Sequence, residues 1–336
     1  MNDVSCTSSV NCFAVGFGGG TLVERWNGTS LAIVPSPNPP GALYGVSCTS
    51  TTNCFAVGYG DSSDADVPLI ERWNGTSWAI VPSPNPNPVG WGRATLYGVS
   101  CTNTTSCFAV GEVGHGHGPF FTLVERWNGT SWTLVPSPSP DPGGAPNSAL
   151  HGVSCTSTTN CFAVGNVHDV FETHPDFGFV ERWNGASWAI VPNPSPGPTG
   201  ETASALYGVS CTSTTSCFAV GASVGGALVS RWNGTSWVIV PSSNPTRARG
   251  SQLHGVSCTS TTSCFAVGHS SNSSLTNVML VERWNGIGWA IVPSPNPSGA
   301  QGTTLLGVSC TNTSSCFAVG YRGSDSGSLT LVERRR

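Results

Sequence analysis

The chain has 336 residues, a net charge of −4, only 9% charged residues and no lysine. Its arginines form no basic stripe, which argues against nucleic acid as a partner, and no run approaches the ~20 apolar residues of a membrane-spanning helix. Length alone would allow two or three domains, but 42 Gly and 25 Pro, together with abundant Ser and Thr, point to a single repetitive all-β domain.

The first strand-like run begins at Val4 and carries Val-Ser-Cys, ending at Cys6. Six residues later comes Cys-Phe-Ala-Val-Gly, from Cys12. The pair of strings recurs with second members and partners at Cys48 and Cys54, Cys101 and Cys107, Cys155 and Cys161, Cys211 and Cys217, Cys258 and Cys264, and Cys310 and Cys316. The spacing runs from 42 residues (Cys6 to Cys48) to 56 (Cys155 to Cys211), the range of propeller blades.

The second copy shows the unit most plainly. Four short runs rich in β-branched and aromatic residues, Leu43–Cys48, Cys54–Tyr59, Leu69–Asn74 and Ser77–Pro82, are bounded by turn residues and read as strands A, B, C and D. Asn74-Gly75 between C and D predicts a type I′ hairpin turn. The prolines from Pro82 to Pro86 end strand D, because proline cannot donate to a ladder. The units span approximately 4–39, 43–86, 96–140, 150–196, 206–245, 253–297 and 305–333. The last stops after strand C, reading Arg335-Arg336 where the others read Trp-Asn-Gly. No single unit buries a core alone, so the expected fold is all-β: a closed seven-bladed β-propeller of four-stranded antiparallel blades, the last three-stranded.

The recurring Arg-Trp-Asn-Gly-Thr-Ser-Trp segment resembles an Asp-box hairpin. With Val-Ser-Cys and Cys-Phe-Ala-Val-Gly, the chain is similar along its whole length to bacterial Asp-box propellers of the sialidase and photosystem II assembly-factor kind. Asn27, Asn74, Asn128, Asn184, Asn233 and Asn285 stand where the box usually has Asp. The resemblance implies a propeller, in families that include enzymes, assembly factors and binding scaffolds, so function has to come from the site.

Fourteen cysteines in seven identical Cys-x5-Cys pairs predict seven disulfides, each bridging strands A and B of one unit, and hence an extracellular or cell-surface protein. Zinc binding fits the spacing less well. No signal peptide precedes Val4, which leads to the expectation that the chain is a fragment or starts upstream. Strand C repeats Glu-Arg; alternation sends the two side chains to opposite faces, and each is expected to pair across the interface with the neighbouring unit.

A–B and C–D turns are nearly constant, whereas B–C and D–A loops vary and lie on the opposite face, where a site is expected. Two B–C loops stand out. That of the third unit carries Glu112, His115, His117, Phe120 and Phe121; that of the fourth carries His168, Asp169, Phe171, Glu172, His174, Asp176 and Phe177. His with carboxylates suits a metal, and a polar loop suits the same residues, so a metal is left open. The second candidate is the residue at the start of strand A: Tyr44, Tyr97, His151, Tyr207, His254 and Leu306. The expected function is a non-catalytic, monomeric binding scaffold for a protein or glycan, with no cofactor. The alternatives are a sialidase-like hydrolase, which needs two carboxylates in distinct roles, and a recently amplified propeller without a specific ligand.

Overall fold

The computed structural model describes residues 1–62, 65–86, 92–115, 119–140, 147–168, 175–194, 203–246, 248–324 and 327–335. All regular structure among them is β. The first unit holds β1 (Asp3–Ser8), β2 (Asn11–Phe17), β3 (Thr21–Trp26) and β4 (Leu31–Ile33); the second β5 (Gly41–Ser50), β6 (Asn53–Ser62), β7 (Ala65–Trp73) and β8 (Trp78–Ile80). The third holds β9 (Gly92–Asn103), β10 (Ser106–His115), β11 (Phe120–Trp127) and β12 (Trp132–Leu134); the fourth β13 (Ser148–Ser157), β14 (Asn160–Val167), β15 (Phe177–Trp183) and β16 (Trp188–Val191). The fifth holds β17 (Ser204–Ser213), β18 (Ser216–Ser223), β19 (Gly226–Trp232) and β20 (Trp237–Ile239); the sixth β21 (Gly250–Ser260), β22 (Ser263–Ser271), β23 (Asn277–Trp284) and β24 (Trp289–Ile291). The last has β25 (Thr303–Cys310), β26 (Cys316–Ser324) and β27 (Gly327–Arg335). Inner strands are longer than the sequence suggested and outer ones shorter: β6 continues past Tyr59 and β10 past Glu112, into segments expected to be loop.

Each unit is an antiparallel meander. The ladders group them into six sheets, because one parallel pair, Asp66 with Arg93, joins the second and third units into an eight-stranded sheet. This departs from the expectation of separate, uniform blades.

The innermost strands are tied in a closed circle. The backbone N–H of the first cysteine in each unit donates to the Val-Ser-Cys serine hydroxyl of the unit before it, at 3.0 to 3.1 Å, from Cys48 on Ser5 through Cys310 on Ser257. Cys6 N–H donates to Ser309 at 3.0 Å and closes the circle. Met1, Val4, Cys12 and Ala14 pack with Phe317 and Val319 at the same seam. The serine thus recurs because each inner strand needs a donor and acceptor for its two neighbours.

Between units, the Phe of one packs under both Trp of the next. Phe13 lies 5.1 Å from Trp73 and 5.3 Å from Trp78, the latter edge-on, and the arrangement repeats at Phe55, Phe108, Phe162 and Phe218. Strand-C arginines cover these rings. Arg25 sits 5.2 Å from the Phe13 centroid and 5.7 Å from that of Trp73 in the next unit, a cation–π contact. The expected Glu–Arg pairing does not form: the ion pairs among the described residues are Arg93–Asp66 and His168–Asp176. Arg25, Arg72 and Arg182 hold Cζ over the rings and turn Nε and Nη2 to Asn11, Asn53 and Asn160 of their own units. The glutamates meet hydroxyls of the preceding unit instead: Thr21 donates to Glu71, Ser83 to Glu125, Ser137 to Glu181 and Ser242 to Glu282.

All seven A–B disulfides are present, from Cys6–Cys12 to Cys310–Cys316. The C–D turn corrects the type I′ expectation. Gly75 has φ 103°, but Asn74 is not in the left-handed region. Asn74 Oδ1 instead accepts from the Thr76 N–H (2.9 Å), the Thr76 hydroxyl (2.8 Å) and the Ser77 N–H (2.9 Å), so this Asn is chosen as an acceptor.

Glycines of the inner strands set how closely the units approach. A Cβ on Gly98 would lie 2.8 Å from the His151 carbonyl oxygen and 3.2 Å from the Gly152 Cα. Because the atoms it would meet are backbone of the next unit and cannot swing away, Gly98→Ala is expected to destabilise by about 2–3 kcal/mol. Denaturant unfolding measures this, and an unchanged midpoint would contradict the packing.

Candidate functional site

The variable residue at the start of strand A is placed by a break in the ladder. Leu43 pairs with Gly58 and Gly45 with Val57, so Tyr44 is left without a partner. The same slip leaves out Tyr97, His151, Tyr207, His254 and Leu306. A bulge of this kind re-aims a side chain, and here it delivers six of them to the central channel. In the first unit the position is Asn2, just before β1, and Asp3 stands where the others have glycine. These residues line a cavity of about 200 Å³.

Five of the seven positions form a continuous arc of rings. Tyr44 and Tyr97 have centroids 5.3 Å apart, Tyr97 and His151 5.3 Å, His151 and Tyr207 5.6 Å, and Tyr207 and His254 5.3 Å. Asn2 and Leu306 complete the circle. The Asn2 amide donates to the Leu43 carbonyl at 2.8 Å, and Asp3 accepts from the Val46 N–H at 3.0 Å.

Behind the arc stands a second layer from strand B, at the residue following Cys-Phe-Ala-Val-Gly. Tyr59 stacks on Tyr44 at 6.0 Å. Glu112 accepts from the Tyr97 hydroxyl at 2.9 Å. Asn166 Oδ1 meets His151 Nε2 at 2.6 Å. His269 Nδ1 lies 3.2 Å from His254 Nε2, with the rings stacked at 5.3 Å. The fifth unit has Ala222 here, which leaves Tyr207 without such a partner from its own unit.

Burial keeps this arc uncharged. It lowers the pKa of His151 and His269, and that of His254 to about 4, helped there by the neighbouring His269 and His151. It raises Tyr97, which Glu112 pushes further, and raises Tyr44 and Tyr207. Glu112 is itself raised by burial against the Tyr97 hydrogen bond, and Asp3 is pushed up to about 7 by burial, against its backbone N–H bonds. At neutral pH the arc therefore offers π faces, hydroxyls and neutral imidazoles. Charge lies at its margin, in the Arg93–Asp66 pair at 2.9 Å.

Of the residues singled out from sequence, Tyr44, Tyr97, His151, Tyr207 and His254 come together. The loop histidines do not join them as a set. His168 pairs with Asp176 at 2.9 Å, both half-exposed. His117, His174, Asp169, Phe171 and Glu172, and the His115 side chain, lie outside the described residues. Phe120 and Phe177 are strand residues, and Phe177 packs against the fourth unit's core. Among the described residues no group of three metal-binding side chains converges. Of this second layer, Tyr59 was read as the end of strand B and Glu112 as a loop residue, and neither was connected with the arc. The layer's signal was available: it is the first position to vary after a constant pentapeptide.

Compared by sequence, the chain matches no protein-family model and no curated protein. Solved structures are similar in fold. A polysaccharide lyase of family PL25, an ulvan lyase bound to a glucuronate–rhamnose-3-sulfate ligand, superposes with a TM-score of 0.63 at 9% identity, covering 98% of this chain and 90% of its own. The fucose-recognising lectin of Aleuria aurantia, a six-bladed β-propeller, gives 0.51 at 13% identity, covering 88% and 97%. The Trypanosoma rangeli sialidase gives 0.53 at 10% identity, covering 91% and 55%. At these identities the likeness establishes a β-propeller fold and nothing finer.

Proposed function

We propose that this chain is a non-catalytic, secreted or surface-displayed binding module, a seven-bladed propeller of Asp-box type, that takes a glycan at the mouth of its channel. The blade count is supported by seven meanders with one disulfide each, and by the single residue pair that merges two of them. The observation that carries the functional reading is the arc from Tyr44 to His254. Five rings, bulged out of the ladder on neighbouring units, line one concavity where the rest of the repeat hardly varies. A sugar presents apolar C–H faces and hydroxyls together; uncharged rings with polar edges meet both, and concave sites of this make-up are where small ligands bind.

A hydrolase would need two carboxylates free for distinct roles. Here Glu112 is occupied by the Tyr97 hydroxyl and Asp3 by the Val46 N–H, which favours binding over catalysis. Seven disulfides suit an oxidising, extracellular environment, and no described helix is long and apolar enough to cross a membrane.

A glycan array probed with the disulfide-intact protein tests this. Binding is expected to fall at least ~10-fold in Tyr97→Ala and in His151→Ala, since aromatic anchors dominate such sites, and to persist in His168→Ala. Retention that survives both arc substitutions and fails in His168→Ala would move the site to the loops, and no glycan retained would overturn the glycan reading.

A further inference from the structure

The second layer behind the arc fails in the fifth unit, and space opens there. The residue after Cys-Phe-Ala-Val-Gly is Tyr59 in the second unit, Glu112 in the third, Asn166 in the fourth, His269 in the sixth and Tyr321 in the seventh. In the fifth it is Ala222, and its partner across the ladder on β17 is Ala205. Directly opposed residues share one face of a sheet, so two methyl groups stand where the third unit has Thr95 and Glu112. An open pocket of about 320 Å³ takes up the space. Asn166 and Asp176 of the fourth unit border it, with Ala205, Tyr207, Ala222 and Val224 of the fifth.

The pocket adjoins the channel cavity. Tyr207 lines both, and His151, on the channel side, meets Asn166, on the pocket side, at 2.6 Å. The Tyr97 hydroxyl is spent on Glu112, whereas no described residue hydrogen-bonds the Tyr207 hydroxyl. Burial and the nearby Asp176 carboxylate raise the Tyr207 pKa, so this hydroxyl keeps its proton and can both donate and accept.

Size and charge narrow the occupant. The channel cavity, about 200 Å³, is smaller than the roughly 300–1,000 Å³ of a ligand cleft. Together with the side pocket it falls within that range, and a molecule filling both lies across the Tyr207 ring. Each space is lined by a carboxyl, Asp3 in the channel and Asp176 in the pocket. Neither is lined by an arginine, and the chain has no lysine. A carboxylate or sulfate on the ligand would therefore enter without a counter-charge, and juxtaposed like charges cost affinity.

We propose that the pocket over Ala222 is a second subsite of the channel mouth, and that it takes the next sugar ring of an uncharged oligosaccharide lying across Tyr207. This rests on the glycan reading of the arc and names its ligand class: a neutral chain of at least two rings, rather than a single sugar or an acidic glycan. Asn166, Asp176 and Tyr207 supply polar groups for its hydroxyls, and the alanines leave room for the ring.

Saturation-transfer NMR titrations of glucose, galactose, xylose and mannose, each as the single sugar and as the trisaccharide, test this. Galacturonic acid and its trisaccharide serve as the charged counterparts of galactose. For the sugar that binds, the trisaccharide is expected to be at least ~10-fold tighter than the single sugar, about 1.4 kcal/mol. Ala222→Tyr installs a side chain that the second and seventh units already carry at this position. It should fill the pocket and remove most of the gain with length. Tyr97→Ala should weaken both lengths together and leave the gain. The galacturonate trisaccharide should bind at least ~10-fold more weakly than the tightest neutral one, for want of a counter-charge, and Asp176→Asn should narrow that margin. Equal affinity for the two lengths, a gain that persists in Ala222→Tyr, or a preference for the galacturonate trisaccharide overturns the subsite while leaving the arc as a glycan site. Binding of none of these sugars at either length overturns the arc reading and the subsite with it.

Discussion

Full reduction of the seven disulfides is expected to lower the melting temperature by about 20 °C. Each bridge closes a short loop and contributes roughly 2 kcal/mol in the chain-entropy account, and for a chain of this length about 14 kcal/mol in sum corresponds to that shift. The bridges also act where the fold is assembled: the cysteine that opens each one carries the N–H that joins neighbouring units. The second cysteine of each pair is at most 6% exposed, so a reductant should act slowly on the folded protein and quickly once units open. Calorimetry of the alkylated, reduced protein against the oxidised form measures the effect. A difference of only a few degrees would show that the bridges are ornamental to a core that stands without them.

The second large effect is expected from pH. Glu71, Glu125 and Glu181 are fully buried between units. Burial raises Glu71 to about 7 and Glu125 and Glu181 to about 8, each against one hydroxyl hydrogen bond, and Glu282 is raised for the same reason. A carboxyl whose pKa is higher in the folded than in the unfolded chain holds its proton more tightly when folded. Its contribution is therefore fully present below the ordinary carboxyl range near 4.5 and is lost as pH rises through 7 and 8. With each pKa unit worth about 1.4 kcal/mol and water entry offsetting part of it, the melting temperature at pH 9 is expected to lie about 10 °C below that at pH 5. Glu125→Gln keeps an acceptor for Ser83 but cannot ionise, and should flatten the alkaline limb. A profile that rises between pH 5 and pH 8, or an unchanged limb in the variant, would show that these carboxyls are ionised in the fold.

Much of the architecture was written in the repeat. Short apolar runs, the cysteine spacing and the Pro-rich connections located every meander and every disulfide, because those features depend on residues near in sequence. What failed depended on partners far away. Glu and Arg were rightly sent to opposite faces, but their partners are a Ser or Thr hydroxyl of the preceding unit and a Phe–Trp stack shared with the next, and alternation along one strand does not name either. Asn74 was read as a left-handed turn residue, although its carbonyl oxygen holds the turn. At the channel, Tyr44 and its equivalents were singled out by their place at the start of strand A. The bulge that aims them was not, since a bulge exists only relative to the register of strand B. For the same reason Glu112 was assigned to a loop, while the longer ladders make it and His269 the backing of the arc.

One local departure from the repeat bears on how any ligand would sit. A circle of seven identical positions would present seven equivalent settings to a molecule lying over the channel, and occupancy would be shared among them. Asn2 and Asp3 end that degeneracy. They replace an aromatic residue and a glycine at one station, and Leu306 beside them extends the interruption. The mouth becomes a horseshoe with an aromatic curve and a gap carrying an amide and a carboxyl, so a chain bound there as proposed would have a defined heading. The seam between the first and last units thus serves as a compass mark on an otherwise rotationally repetitive surface.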